Sequence, residues 1–350
     1  MTSRRQLFPV AGMALAGASV ILLAGCGSDA PAPAVKPASR EVGSAGTLTV
    51  YSGQHQQTVG ALVQDFQQRT GIEVHVRSGD EADLANQLLE EGSSTPADVF
   101  FAENPPSLGV LDEKRLLAAI TPSTLALVPK AASSPTGHWV GVSARAAALV
   151  YNTDAPAARD LPTSVLDLEK PQLKGRLGVA PSETDFQPVV TRVIAARGHD
   201  GAVAWASALK DNAKVYDSNE SLITAVNRGE VAMGMVDHYY WYRMRDEVGA
   251  GNVHSALRYF SPADPGGMVD VSGAAVLASS QHRAQAQQFV AYLVSRPAQQ
   301  IVATSESWEY PLLPGVQDMR LPANAGVADP VVDLGDGREA LDLLQQVGLL

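Results

Sequence analysis

Thiol chemistry is almost absent from this chain, because one cysteine, Cys26, stands among 350 residues. Once that cysteine is assigned to a lipid, as argued below, nothing is left for a disulfide, a thiolate metal site or a thiol nucleophile. Any metal must then be held by nitrogen and oxygen. Basic charge is also scarce, with 26 Lys and Arg against 37 Asp and Glu and a formal net charge of −11. No basic run offers the footprint that a phosphate backbone requires, so no nucleic-acid partner is expected. Internal repeats are missing too. So are a Ser-His-Asp order with a nucleophile elbow, a phosphate-cradling glycine loop and a paired-histidine metal motif, and no catalysis is expected.

What is present begins at the N-terminus. Arg4 and Arg5 precede an apolar stretch from Phe8 to Ala24 that ends in Leu23-Ala24-Gly25-Cys26. This reads as a signal peptide over residues 1–25 with a lipoprotein box, cleaved before Cys26, which then carries the lipid and anchors the chain to the membrane. The stretch is short for a bilayer span of about 20 residues. Ser3-Arg4-Arg5-Gln6-Leu7-Phe8 is also compatible with twin-arginine export. Residues 26–46 hold Pro31, Pro33, Pro37 and Gly43-Ser44-Ala45-Gly46; they bury no core and read as a flexible tether.

From Thr47 onward, short β-branched runs alternate with longer segments of helical period. Leu48-Thr49-Val50-Tyr51 is followed by a helix over 56–69, and strands are expected at 73–77, 98–101, 147–151, 176–179, 231–236 and 273–277. Helices are expected at 83–91, 107–113, 186–196, 201–210, 221–228, 284–294 and 338–347. The pattern predicts an α/β fold with mixed, mainly parallel sheets flanked by helices, in two lobes. In such sheets ligands bind beyond the carboxyl ends of strands. His55, Glu103, Ser182 to Asp185, Ser218-Asn219 and Asp237 to Tyr240 all follow apolar runs, and they converge only if two lobes face each other across a cleft.

One imidazole from His55, one carboxylate from Glu103 and two phenols from Tyr239 and Tyr240 suit a hard, highly charged cation. Ferric iron balances the two phenolates and one carboxylate. Zinc would recruit more histidine, and calcium more carboxylate and carbonyl oxygen. Simpler readings stand beside this one. His55 also suits a solvated or capping turn residue, and Glu103 an acid in the first turn of the next helix. If the tyrosines lie on a strand they point to opposite faces as ordinary packing; if they open a helix with Asp237 as N-cap, both hydroxyls face one side. Periodicity leaves both open. An organic ligand such as a sugar, a polyamine or a metal chelate, stacked on these rings, is the competing occupant.

At these residues the chain resembles the bacterial ferric-binding proteins, the solute-binding components of iron ABC importers. Tyr51-Ser52-Gly53-Gln54-His55 is similar to that family's opening strand and histidine ligand. Pro96-Ala97-Asp98-Val99-Phe100 leads to Glu103 as its carboxylate ligand, and Tyr239-Tyr240-Trp241 resembles its tyrosine pair. Ser272-Gly273-Ala274-Ala275-Val276-Leu277 and Glu309-Tyr310-Pro311-Leu312 follow in order. The resemblance implies a periplasmic-binding-protein type II fold, with lobe 1 at 47–145 plus 271–320 and lobe 2 at 146–270 plus 321–350. It also implies Fe(III) in the cleft, a monomer, and docking on an importer permease with its ATPase.

That family completes iron's coordination with phosphate or carbonate. Asn219 matches an anion contact and Arg145 an arginine near the cleft. The chain departs from the pattern where Ser182, Glu183, Thr184 and Asp185 replace a turn of small residues, and where Asp237 replaces an asparagine. An anion beside those acids would meet like charge. A protein carboxylate, Glu183 first, is therefore expected to replace or weaken the free anion.

Overall fold

The computed structural model describes residues 47–155, 161–323, 325–331 and 333–350. The expected signal peptide, the expected lipidation site Cys26 and the expected tether lie outside the described residues. The first elements are β1 (Leu48–Ser52), α1 (Gln56–Thr70), β2 (Val74–Ser78), α2 (Glu81–Glu91), β3 (Val99–Ala102), α3 (Pro105–Glu113), β4 (Leu117–Ala118), α4 (Pro122–Leu125) and β5 (Trp139–Asn152). The chain continues through β6 (Leu177–Val179), α5 (Phe186–Asn212), β7 (Ala213–Val215), α6 (Asn219–Asn227), β8 (Met233–Asp237), α7 (His238–Val248) and β9 (Ser255–Arg258). It ends with β10 (Val269–Leu277), α8 (Arg283–Leu293), α9 (Arg296–Thr304), β11 (Tyr310–Pro311) and α10 (Arg338–Val347).

Local chemistry fixes the boundaries. The Asp80 carboxylate accepts from the Asp83 amide at 3.0 Å and opens α2. Ser218 and Ser221 form a capping box on α6, which satisfies amides that the helix itself cannot bond. The expected helices at 186–196 and 201–210 are one 27-residue span bent at Gly198, whose φ of 71° and ψ of 170° no other residue type adopts easily. Among the described residues no helix is long and apolar enough to cross a membrane.

Strand order runs β2-β1-β3-β10-β5 and continues β8-β6-β7, with β4 beside β10 and with β9 and β11 beside β5. β5 serves both halves: Trp139 to Ala146 pair with β10, while Ala147 to Asn152 pair with β8 and β9. Parallel pairing is confined to β1 with β2 and β3, and to β6 with β7 and β8. Every pairing of β5 and β10 is antiparallel. The sheet is thus mixed, as expected, but less parallel than the alternating pattern suggests. Two long strands traverse its centre instead of feeding crossover helices.

Each half has its own apolar core. Leu48, Val50, Phe66, Phe100, Leu108 and Phe289 pack in the first, and Leu149, Leu177, Val190, Trp205, Leu209 and Leu343 in the second. Trp205 is fully buried and still satisfied, because its indole N–H donates to the Val165 carbonyl at 3.1 Å. α10 packs against α5 and closes the second core.

Candidate metal centre

The Gly53-Gln54 turn after β1 delivers His55 to the N-cap position of α1, where its side chain makes no capping bond. The ring instead points at Glu103, with Nε2 3.5 Å from Oε1 and side chains only 15% and 17% exposed. Glu103 precedes the N-cap Asn104, and α3 starts at Pro105, whose missing N–H is harmless there. It is therefore not a first-turn acid. Its place is set by Glu81, which accepts from the Asn104 amide at 2.6 Å, from Ser107 Oγ at 2.8 Å and from the Glu103 amide. Gly53 makes room for this carboxylate, since a Cβ there would lie 2.8 Å from the Glu81 Cβ.

α7 begins directly after β8, so Tyr239 and Tyr240 stand at the second and third positions of a helix. This removes the strand reading. Both rings are buried, with centroids 4.3 Å apart and planes inclined at 32°. The Tyr239 hydroxyl faces Asp185 Oδ2 at 3.0 Å and Glu103 Oε1 at 3.3 Å, and its ring lies edge-on to His55 at 5.2 Å. Asp237 occupies the N-cap position, but its side chain caps nothing and lies 3.9 Å from Arg145 Nε. The helix start is braced by His238. Its Nδ1 accepts from the Ala146 amide at 3.1 Å, and its ring stacks on Tyr310 at 4.8 Å. Burial pushes the His238 imidazole down to about 3, so it stays a neutral acceptor.

Arg145, fully buried on β5, is the hub of the site. Its guanidinium lies 3.2 Å from Glu103, 3.7 Å from Glu309, 3.8 Å from Asp185 and Asp270, and 3.9 Å from Asp237. Five carboxylates around one cation cannot all ionise cheaply in a dry site. Burial, and then neighbouring acids against the opposing pull of Arg145, holds Glu103 well above the carboxylate range. Burial and Asp185 do the same to Asp237, and burial lifts Asp270 to about 7. Arg145 stays charged: burial works against it, but Glu103, Asp270 and Glu309 outweigh that. Arg145→Ala should lower unfolding stability at neutral pH by about 3–5 kcal/mol in urea titrations, because it strands buried acids. A loss under about 1 kcal/mol would remove Arg145 from this role.

The phenols are protonated in the metal-free state. Burial first, and then Asp185 and Glu103, raise both Tyr239 and Tyr240 above the ordinary phenol range. Burial, followed by Arg243 and Arg145, pushes His55 well below the usual imidazole value, so its nitrogens stay neutral.

On the tyrosines' own side of the site, Asp185 and not Glu183 meets the Tyr239 hydroxyl. Asp185 is buried and also accepts from Asn219 Nδ2 at 3.3 Å. Glu183 is half-buried and accepts from the Asn219 amide instead; burial and Asp185 raise it above the carboxylate range. Of the two acids, Asp185, directly before α5, is the one buried against the Tyr239 hydroxyl, while Glu183, the acid expected first, stays half-buried two residues earlier. Thr184 Oγ1 accepts from Asn104 Nδ2 at 3.4 Å, and exposed Ser182 reaches only the Asp217 carbonyl at 3.5 Å. Sequence reasoning passed over Glu81, Asp270 and Arg243. Asp270 had a signal, a lone acid inside Val269-Asp270-Val271, and Arg243 stands one helical turn after Tyr239.

His55 Nε2 and Asp185 Oδ1 are buried without a hydrogen-bond partner. Among the described residues no three His, Cys, Asp or Glu side chains are placed to hold a metal ion by themselves, so a cation here needs the phenolic oxygens. That donor set favours a hard, highly charged ion.

Residues 94–333 match the family described as bacterial extracellular solute-binding protein. The chain is 36% identical to the Fe(3+)-binding periplasmic protein of Serratia marcescens over 87% of this chain and 90% of that one. It is 37% identical to the major ferric iron-binding protein of Neisseria meningitidis serogroup B, covering 86% and 93% of the two chains. The crystal structure of iron-bound HitA from Pseudomonas aeruginosa aligns with a TM-score of 0.80 and 41% identity over 86% of this chain and 99% of that one. This chain therefore belongs to the bacterial extracellular solute-binding proteins, within the ferric-binding family, and is not an enzyme.

Proposed function

We propose that this chain binds ferric iron through His55, Glu103, Tyr239 and Tyr240 outside the cytoplasm and delivers it to an ABC importer. The observation that carries the reading is the Tyr239 hydroxyl, set within 3.3 Å of two carboxylates, one from each side of the cleft. A trivalent ion replacing the phenolic protons would be met by charge already gathered there. Lobe 1 would comprise 47–145 plus 271–320 and lobe 2 146–270 plus 321–350, meeting along β5. The protein would act as a monomer held at the membrane by lipid on Cys26. Ferric salt added to the purified domain should give a visible phenolate-to-iron absorption band that saturates at one iron per chain. No band would return the site to an organic ligand.

Asp185 is proposed as the carboxylate that stands in for a free anion. It holds the position beside the phenols, and Arg145, Asp237 and Asn219 surround it. Phosphate or carbonate placed there would meet Asp185 and Asp237 at close range. Wild-type protein should therefore load iron equally with and without phosphate. Asp185→Asn should lose roughly tenfold or more in affinity without phosphate and recover when it is added. Stoichiometric phosphate or carbonate in the iron-loaded wild type would sink the idea.

A further inference from the structure

His55 holds the N-cap position of α1, where a side chain ordinarily bonds the free amides of the first turn. Its ring is turned to Glu103 instead, so the residue has to be fixed by other means. Gln54 supplies them. It is buried, and the two ends of its amide face different partners: Oε1 accepts from the His55 N–H at 2.7 Å, and Nε2 donates to the Glu309 carboxylate at 3.2 and 3.3 Å. The His55 carbonyl accepts from the Val59 N–H at 3.0 Å. Both backbone groups of His55 are thus held, and the ring is left free. Glu309 is itself anchored. It is buried, accepts from Ser143 Oγ at 2.9 Å and lies 3.7 Å from Arg145. Ser143 is bonded in turn to Ser272 at 2.6 Å, which joins β5 to β10 at this point. Since Arg145 lies 3.2 Å from Glu103, a circuit of buried polar groups runs from the His55 backbone through Gln54, Glu309 and Arg145 to Glu103. The approach of the His55 ring to Glu103 at 3.5 Å closes it.

We propose that Gln54 is a positioning residue for His55: its amide ties the His55 backbone to the Glu309 and Arg145 anchor and so sets the imidazole at its distance from Glu103 before iron arrives. The idea rests on the ferric reading above and adds to it a residue that touches no iron. The two ends of the amide make the choice of side chain specific. Glutamate would place a second carboxylate oxygen against Glu309. Leucine fills the space but leaves the His55 N–H without its acceptor and Glu309 without a donor. Asparagine keeps the amide and is one methylene shorter, so it cannot serve both partners at these distances.

The test is a double-mutant cycle in which ferric affinity is read by competition against a chelator. Gln54→Leu should lose about 10- to 100-fold in affinity and keep the phenolate band, because both tyrosines are intact. In a His55→Ala background, where no ring is left to position, the same substitution should change affinity by no more than about twofold. Gln54→Asn is the second variant and should show a smaller loss of the same kind, again absent without His55. A further readout needs no iron. In the metal-free protein the His55 ring resonances, identified by their disappearance in His55→Ala, should shift in both Gln54 variants. An equal loss of affinity with and without His55 would mark a general effect on the fold and overturn the proposal. Wild-type affinity in both Gln54 variants would overturn it as well. Full affinity in His55→Ala would remove His55 from the ligand set and the proposal with it, whereas a wild type without the band would overturn the ferric reading itself.

Discussion

Replacing Tyr239 with phenylalanine is expected to lower ferric affinity on the order of a thousandfold and to remove most of the visible band. Loss of a residue that merely supports a metal ligand costs about 10- to 100-fold, and a direct ligand should exceed that. The substitution deletes one oxygen, the atom that faces both Asp185 and Glu103, while the ring continues to fill its fully buried place beside His55 and Tyr240. Folding should therefore survive, with a midpoint in thermal unfolding within a few degrees of wild type. Tyr240→Phe should act in the same direction and leave a weaker, shifted band. A carrier that used these rings only as stacking platforms would bind its ligand almost unchanged in both variants. Full affinity with a normal band in Tyr239→Phe would end the case for phenolate ligation.

Iron affinity should fall steeply with acid, by about a hundredfold per pH unit below neutrality. The sign follows from who holds protons. In the metal-free protein both phenols sit above their ordinary pKa, so they are protonated throughout this range, and iron must displace both protons. Each displaced proton gives a tenfold dependence per unit, with affinity rising as pH rises. Glu103 is also raised, so where it is protonated in the metal-free state a third proton steepens the slope toward a thousandfold. His55 contributes little, because its lowered pKa keeps the ring neutral and available well below the usual imidazole range. Competition against a chelator of known pH profile measures the slope. A flat affinity between neutral and mildly acidic pH would exclude this ligand set.

Much of this was legible in the sequence where one residue type does one thing. The helices expected at 83–91 and 221–228 are present but start two residues earlier, behind the caps Asp80 and Ser218, and α10 runs from Arg338 to Val347 as its apolar period suggests. Periods failed at β5 and β10. The expected strands covered only 147–151 and 273–277, whereas the observed ones are Trp139–Asn152 and Val269–Leu277. Their centres are small or polar residues such as Gly141, Ser143, Ala144 and Arg145, buried on both sides, so neither alternation nor bulk announces them. The site followed the same rule. The ligands stood out because each follows an apolar run. What separates Asp185 from Glu183 is the direction in which a turn enters α5, which no spacing records. Glu81 and Glu309 act through distant partners, amides of the Glu103 turn and Gln54 with Ser143, and long-range pairing of that kind leaves no local trace.

β5 changes partners between Ala146 and Ala147, one residue after Arg145. A body that opens and shuts along a shared strand has a fulcrum, and material at a fulcrum travels least. If the two lobes proposed above part along this strand, Tyr239 and Asp185 would swing away from His55 and Glu103, while the guanidinium stays almost where it is. The site would then keep its positive centre in both positions, a fixed post to which the acids of either arm return, so that each closure rebuilds the same charge pattern without searching for it.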